Sequence, residues 1–284
     1  MNRTDSHSHL PWPAPAKLNL MLHITGRRAD GYHLLQSVFQ FLDHGDRLWF
    51  EPLADGRILR HDSLRGVPLE QDLIYRAARL LQGHSGTRQG AAIRLEKRLP
   101  MGGGLGGGSS DAATTLIALN RIWQLGMGID QLAALGLQLG ADVPVFVRGQ
   151  AAWAEGVGEA LTPLSLPEPW FVVLIPPVQV ATGEIFAATE LTRDCPAITI
   201  RDFLAGLGEN VCQPVVASRY PAVAEALDWL GQYGQARMTG TGACVFAAFD
   251  SATKAQQVLA ARPEGWQGFV AQGRNRSPLL ERAD

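Results

Sequence analysis

A run of glycines near the middle of the chain is the part of the sequence best suited to chemistry. Six of the seven residues from Gly102 to Gly108 are glycine, and Ser109 and Ser110 follow them directly. Glycine tolerates positive φ and lets a ligand approach the backbone, so successive N–H groups can converge on an anion. A helix capped by Ser109 or Ser110 would add the partial positive charge of its N-terminus. The run therefore predicts a phosphate-binding loop, with a linker or tight turn as the plainer alternative.

Two known phosphate-binding patterns can be compared with this loop. The P-loop of the Walker type needs a lysine after its last glycine, and a serine follows Gly108, so that class is excluded. The dinucleotide pattern G-x-G-x-x-G does match at Gly102, Gly104 and Gly107, and Asp130 lies near the spacing of a ribose-binding acid. An NAD-dependent oxidoreductase is therefore an alternative to a kinase that uses ATP. A nucleotide-binding module without catalysis is a third possibility.

A lysine and an aspartate that are distant in sequence are candidates for catalysis. Lys17 and Asn19 stand two positions apart in an alternating segment, so they share one face of a predicted strand. Asp142 lies just before Pro144, at a predicted helix start. Phosphoryl transfer depends on positioning and charge neutralisation, which an aspartate and a lysine can supply together. The plainer alternatives are a solvated lysine and an aspartate that caps a helix.

The pattern of apolar residues predicts an α+β fold, because strands and helices mix without strict alternation. In the predicted strand 16–24, leucine and isoleucine occupy one face and the other face is polar and open. Further strands are predicted at 37–41, 46–51, 91–97, 170–175, 236–248 (a strand pair) and 267–271. Helices are predicted from Asp72 to Gly83, from Ser109 or Ser110 to Trp123, over 130–139 and 251–261, and after Thr182 and Pro221. A proline-rich stretch divides the chain into domains 1–163 and 164–284.

Composition limits the classes of partner. The 25 basic residues nearly balance the 27 acidic ones, so neither nucleic acid nor an anionic membrane is expected as a partner. The longest apolar stretch, Trp170 to Val178, is far shorter than the roughly 20 residues of a membrane helix. Three scattered cysteines predict a reducing cytoplasm, and we expect a monomer or weak homodimer. His7 and His9 fall in a polar N-terminal segment predicted to be a loose tail.

Five segments together resemble the GHMP kinase family, in the family's order along the chain. They are 15–20 (PAKLNL), 28–33 (RADGYH), 99–111 (LPMGGGLGGGSSD), 139–144 (LGADVP) and 239–244 (TGTGAC). The resemblance implies two α+β domains with the active site in the cleft between them. It also implies an ATP-dependent small-molecule kinase, with Mg²⁺ arriving on ATP. The lysine-asparagine strand and the Gly-Tyr-His segment are similar to those of one branch of the family. That branch phosphorylates the 2-hydroxyl of cytidine diphosphate-linked methylerythritol in non-mevalonate isoprenoid synthesis.

The resemblance also implies a role for individual residues. Asp142 would be the base and Lys17 its electrostatic partner, while Asn19 and His33 would contact the substrate. An aromatic box for cytosine would consist of Tyr32, Phe39 and Phe186. The ATP phosphates would bind Pro100, Met101, Gly102, Gly103, Gly104, Leu105, Gly106, Gly107, Gly108, Ser109 and Ser110, with Lys97 nearer the adenosine. No metal site made of protein ligands is expected. Asp72 stands where relatives often have asparagine, and helix capping is enough to explain it.

Overall fold

The computed structural model describes residues 10–29, 31–62, 64 and 66–283. The predicted tail with His7 and His9 lies outside these residues. Ten strands within these residues join in one sheet. Their bounds are β1 Trp12–Arg27, β2 His33–Leu53, β3 Ile58–Arg60, β4 Gly90–Glu96, β5 Ala152–Glu155, β6 Ala160–Pro163, β7 Trp170–Ile175, β8 Arg237–Met238, β9 Val245–Phe249 and β10 Gln267–Arg274.

Helices cover the sheet in both halves of the chain. Their bounds are α1 Leu73–Ser85, α2 Gly107–Ile122, α3 Ile129–Leu137, α4 Val143–Arg148, α5 Thr182–Ala187, α6 Ile200–Leu204, α7 Cys212–Arg219, α8 Pro221–Gly231, α9 Ala252–Ala260 and α10 Pro278–Ala283. The mixture of helices and mostly antiparallel strands confirms the predicted α+β class. Within the described ranges, no helix is both long and apolar enough to cross a membrane.

The sheet is continuous between the two halves of the chain. Its main path runs β3-β4-β2-β10-β7-β9-β8, and β10 is the strand that joins β2 of the first half to β7 of the second. The division at 163/164 stays a prediction. Helix α10 belongs to the predicted second domain but packs into the core of the first half, where Leu279 is fully buried.

Strands β1 and β2 form a long antiparallel pair. The predicted strands at 37–41 and 46–51 are confirmed as β-structure, but the break between them was wrong. Both lie within the single strand β2 of 21 residues. The pairing shifts register between Pro15 and Lys17, opposite Gly45. A Cβ atom on Gly45 would lie 2.2 Å from the carbonyl oxygen of Ala14, so glycine lets the two backbones approach.

The polar face of β1 is buried, which corrects the expectation of an open face. Lys17, Asn19 and His23 expose 3%, 5% and 7% of their surface. Along β1, Ala14 joins the core beneath the helices of the first half and Ile24 joins the core of the second half. Because β1 passes through the centre of the molecule, its polar side chains must find partners inside the protein.

Candidate active site

A cleft of about 1100 Å³ lies between the two halves of the molecule. Strand β1, the glycine loop and the starts of α1, α2 and α4 contribute to its lining from the first half. Helix α5 and the turn at Gly240 and Thr241 contribute from the second half. The cleft therefore lies where the resemblance places an active site.

Lys17 is held by three oxygen atoms inside this cleft. Its Nζ donates to Asn19 Oδ1 at 2.5 Å and to the Gly104 carbonyl at 3.1 Å, and it lies 3.4 Å from Asp142 Oδ2. The ring of Phe39 lies beneath the ammonium, 5.4 Å from ring centroid to Nζ. Since the Lys17 side chain is only 4% exposed, these contacts fix its charge in one place. The solvated lysine is thereby excluded.

Asp142 occupies the position before α4 but does not cap that helix with its side chain. Its carboxylate lines the cleft, is 37% exposed and pairs with Lys17. The alternative that the Asp142 side chain caps the helix is therefore wrong. The short helix α4 positions the carboxylate, and the cleft leaves it accessible to a bound hydroxyl group.

Asn19 and Phe39 line the cleft but are both engaged with the protein. The Asn19 amide nitrogen donates to Ser37 Oγ at 2.8 Å, while its oxygen accepts from Lys17. Phe39 is 3% exposed and packs beneath the same ammonium. These contacts fit a role for Asn19 and Phe39 in supporting Lys17 better than the substrate-binding role that the resemblance implies.

The glycine loop starts helix α2 earlier than the sequence predicts. Gly106, with φ of 73°, is the residue before the helix and Gly107 is its first residue, so the predicted cap at Ser109 or Ser110 was wrong. Ser110 N–H donates to the Gly106 carbonyl. By helix geometry, the N–H groups of Gly107, Gly108 and Ser109 precede the first internal bond and project at the N-terminus. This end of α2 lines the cleft and suits an anion.

Not all glycines of the loop serve a ligand. A Cβ atom on Gly106 would lie 2.7 Å from the Phe146 ring and 3.1 Å from Lys17 Cε, and one on Gly104 would lie 2.2 Å from the Thr239 carbonyl oxygen. These two glycines are required for packing. Open space surrounds the Cβ position of Gly102, where a ligand can approach the backbone.

Two residues of the predicted phosphate loop lie away from the cleft. The Leu105 side chain is 1% exposed and packs in a core cluster with Leu99 and Phe171. Ser110 is fully buried, and its hydroxyl has no hydrogen-bond partner within the described ranges. The other predicted loop residues line the cleft, namely Pro100, Met101, Gly102, Gly103, Gly104, Gly106, Gly107, Gly108 and Ser109.

Lys97 lines the cleft, but its ammonium is bound in a carboxylate network that sequence reasoning missed. Its Nζ lies 2.5 Å from Asp46 Oδ2 and 3.0 Å from Asp111 Oδ2. The other oxygen of Asp46 accepts from the N–H groups of Arg98 and Leu99, at 2.6 and 2.8 Å. These bonds fix the backbone just before the glycine loop. The one available signal was Asp111, an acid in a helical turn predicted to bind phosphate.

Burial determines how this network titrates. It raises the pKa of Asp111 to about 7, although Lys97 acts in the opposite direction. Burial lowers the pKa of Lys97, but the charges of Asp111 and Asp46 outweigh it, and the pKa of Lys97 is raised. The lysine therefore stays charged, and the Asp111 carboxyl keeps its proton to a higher pH than an exposed aspartate does.

Asp72 caps helix α1, as predicted, and lines the cleft. Its Oδ1 accepts from the N–H groups of Ile74 and Tyr75, and its Oδ2 pairs with Arg60 Nε at 3.0 Å. Both side chains of the ion pair are nearly buried. This pair fixes one wall of the cleft. The helix itself ends at Ser85, before Gly86 in the left-handed conformation, and not at Gly83.

A group of aromatic side chains also lines the cleft. The His33 and Phe186 rings stack with centroids 5.1 Å apart and an interplanar angle of 20°. Tyr32 is 65% exposed and lines the cleft. His33 is the first residue of the long strand β2 and Phe186 lies on α5, so the stack joins the two halves of the chain.

The comparisons with known proteins agree with this geometry. Residues 72–150 match the GHMP kinases N terminal domain and residues 194–268 match the GHMP kinases C terminal domain. A 4-diphosphocytidyl-2-C-methyl-D-erythritol kinase of Nitrosococcus oceani is 64% identical over 96% of this chain and 97% of its own. The protein of the same name from Pseudomonas paraeruginosa is 60% identical over 95% and 96%.

Solved structures show the same relationship. A crystal structure of 4-(cytidine 5'-diphospho)-2C-methyl-D-erythritol kinase has a TM-score of 0.83 at 33% identity, covering 93% of this chain and 99% of its own. Mevalonate kinase of Methanococcus jannaschii has a TM-score of 0.68 at 15% identity, covering 96% and 100%, and shows the fold alone.

Fold and cleft together define an ATP-dependent small-molecule kinase, and the oxidoreductase alternative is wrong because both halves match kinase domains. More narrowly, the chain belongs to the GHMP kinase family and, within it, to the 4-diphosphocytidyl-2-C-methyl-D-erythritol kinases.

Proposed function

We propose that this kinase transfers the γ-phosphoryl group of ATP to the 2-hydroxyl of 4-diphosphocytidyl-2-C-methyl-D-erythritol. The observation that carries the proposal is the placement of the Lys17 ammonium between Asp142 and the glycine-loop carbonyl of Gly104. A charge in that position lies between a carboxylate that can accept a hydroxyl proton and a helix start that can bind phosphate. The names of the relatives supply the substrate.

The protein takes little part in the covalent chemistry of this reaction. The substrate oxygen bonds to the γ-phosphorus, the bond from that phosphorus to the β,γ-bridging oxygen breaks, and ADP leaves. Asp142 orients the hydroxyl and takes its proton as the new bond forms. Lys17 offsets charge on the transferring oxygens, and the N–H groups at the start of α2 bind the phosphates of ATP.

Mg²⁺ belongs to this proposal as the counterion of ATP. Within the described ranges, no group of three or more His, Cys, Asp or Glu side chains could hold a metal ion. Ser109 lines the cleft and offers a hard oxygen ligand of the kind that Mg²⁺ prefers, so its hydroxyl would hold the ion beside the phosphates. When bound, it would neutralise phosphate charge.

The aromatic side chains of the cleft suit the binding of a cytosine head group. Tyr32 and Phe186 would stack on the base, and His33 would meet its polar edge. Burial, with the positive charges of Arg193 and Arg27, lowers the pKa of His33, so the imidazole is neutral at pH 7. Stacking alone accepts either pyrimidine, because each ring has a face. Discrimination must therefore come from hydrogen bonds at the edge.

Release of ADP should be measured with the cytidine diphosphate-linked substrate, its uridine counterpart and free methylerythritol. Two inverted hydrogen bonds, each costing about 1 to 3 kcal/mol, should lower kcat/KM for the uridine compound by about two to four orders of magnitude. Phe186→Ala should weaken both nucleotide substrates about equally, whereas His33→Ala should selectively weaken the cytidine one. Equal kcat/KM for the two compounds would refute the cytosine pocket while leaving the kinase assignment intact.

A further inference from the structure

Arg193 connects the two halves of the aromatic site. Its Nη2 donates to the carbonyls of Phe186 and Ala188 at 2.8 and 2.6 Å, and its Nη1 donates to the Leu191 carbonyl at 3.0 Å. Its Nε donates to His33 Nε2 at 3.3 Å, across 160 residues of sequence. One guanidinium group thus holds both the end of α5 and the imidazole that stacks on the Phe186 ring.

This contact decides where His33 carries its proton. An arginine guanidinium stays protonated in proteins and has only donors, so the nitrogen that it faces must be an acceptor. A neutral imidazole whose Nε2 accepts carries its single proton on Nδ1. The lowered pKa of His33 agrees, because the doubly protonated ring would set two donors against each other.

We propose that Arg193 is a positioning residue that sets the hydrogen-bond polarity of the base pocket, by holding His33 as a donor through Nδ1. The proposal rests on the proposed function, in which His33 meets the base. Cytosine has an unprotonated ring nitrogen at position 3, which accepts a hydrogen bond, whereas uracil carries a proton there. A pocket with a fixed Nδ1–H donor therefore favours cytosine and opposes uracil.

Loss of Arg193 would free the imidazole to exchange tautomers. With the proton on Nε2, Nδ1 becomes an acceptor and can receive the ring N–H of uracil. Arg193→Met should therefore reduce the cytidine-to-uridine ratio of kcat/KM by about ten- to a hundredfold, mainly by raising the uridine value. Arg193→Lys, which keeps a charged donor, should retain more of the ratio. Arg219→Met, which removes an exposed arginine paired with Glu190, is the matched control.

Two measurements separate this role from simple support of α5. In the His33→Ala background, Arg193→Met should leave the ratio unchanged, because Arg193 acts through the imidazole. Nitrogen-15 NMR of the whole protein should show His33 protonated on Nδ1 alone in the wild type, and a mixture of tautomers in Arg193→Met. The spectrum of the wild type decides the tautomer even if the variant fails to fold.

Three results would overturn the proposal. They are an undiminished ratio in folded Arg193→Met, the same loss of ratio with and without His33, and a wild-type imidazole protonated on Nε2. A wild type that does not discriminate between the bases would refute the cytosine pocket itself. In that case, the NMR result would still report separately whether Arg193 fixes the tautomer.

Discussion

Asp142→Asn tests the assignment of the base most directly, because it changes the chemistry of the carboxylate and little else. The replacement keeps the shape of the side chain at the start of α4, where the carboxylate makes no capping hydrogen bond. Lys17 keeps its contacts with Asn19 Oδ1 and the Gly104 carbonyl. The glycine loop is not altered, so ATP binding should be nearly unchanged.

The structure separates the expected loss of turnover from any loss of stability. A positioned acid-base group contributes about two to four orders of magnitude, or roughly 3 to 5 kcal/mol of transition-state stabilisation. The Asp142 side chain is 37% exposed and its ion pair spans 3.4 Å, so solvent screens it and its loss should cost at most about 1 kcal/mol of folding stability. Lys17→Met should lower both the turnover and the folding stability, because it also leaves buried hydrogen-bond acceptors unpaired.

The assay is ADP release under saturating ATP, with calorimetric titration of ATP and a urea unfolding curve for each variant. Asp130→Asn is the matched control, since that aspartate is 80% exposed and pairs with Arg148. The double variant of Asp142 and Lys17 should be no slower than the slower single variant, because the two act as a unit. More than about a tenth of wild-type turnover in Asp142→Asn would refute the reasoning.

Three further predictions concern residues that support the cleft. Gly106→Ala should lower the free energy of unfolding by about 1 to 3 kcal/mol, because its methyl group would meet an aromatic ring at positive φ. Urea titration should show a smaller loss for Gly126→Ala, which has φ of 67° but open space around it. Arg60→Met should cost about 3 to 5 kcal/mol and weaken ATP binding, since the buried Asp72 carboxylate loses its partner; unchanged stability and affinity would contradict this. The contribution of Asp111 is fully present below its ordinary pKa of 3.8 and is lost as pH rises through about 7, because the unfolded carboxyl releases its proton first. Thermal melts from about pH 5 to 8 should show the wild type losing stability relative to Asp111→Asn, and parallel curves would contradict this.

Much of the site could be predicted from the sequence, because its signals are local. A dense glycine run before a helix restricts what the backbone can do, and alternation places Lys17 and Asn19 on one face of a strand whatever surrounds it. Asp72 caps α1 with hydrogen bonds that span two and three residues. The resemblance of five ordered segments then indicated the family, and the comparisons confirmed it.

Tertiary structure decided what depends on distant partners. The polar face of β1 is buried because the strand runs between two cores, which no alternation pattern reveals. The ammonium of Lys97 is bound by Asp46, 51 residues away, and the imidazole of His33 by Arg193, 160 residues away. Such contacts form only when the sheet brings strands of both halves together, so the residues that set charge and proton position in the cleft carry no local signal of their role.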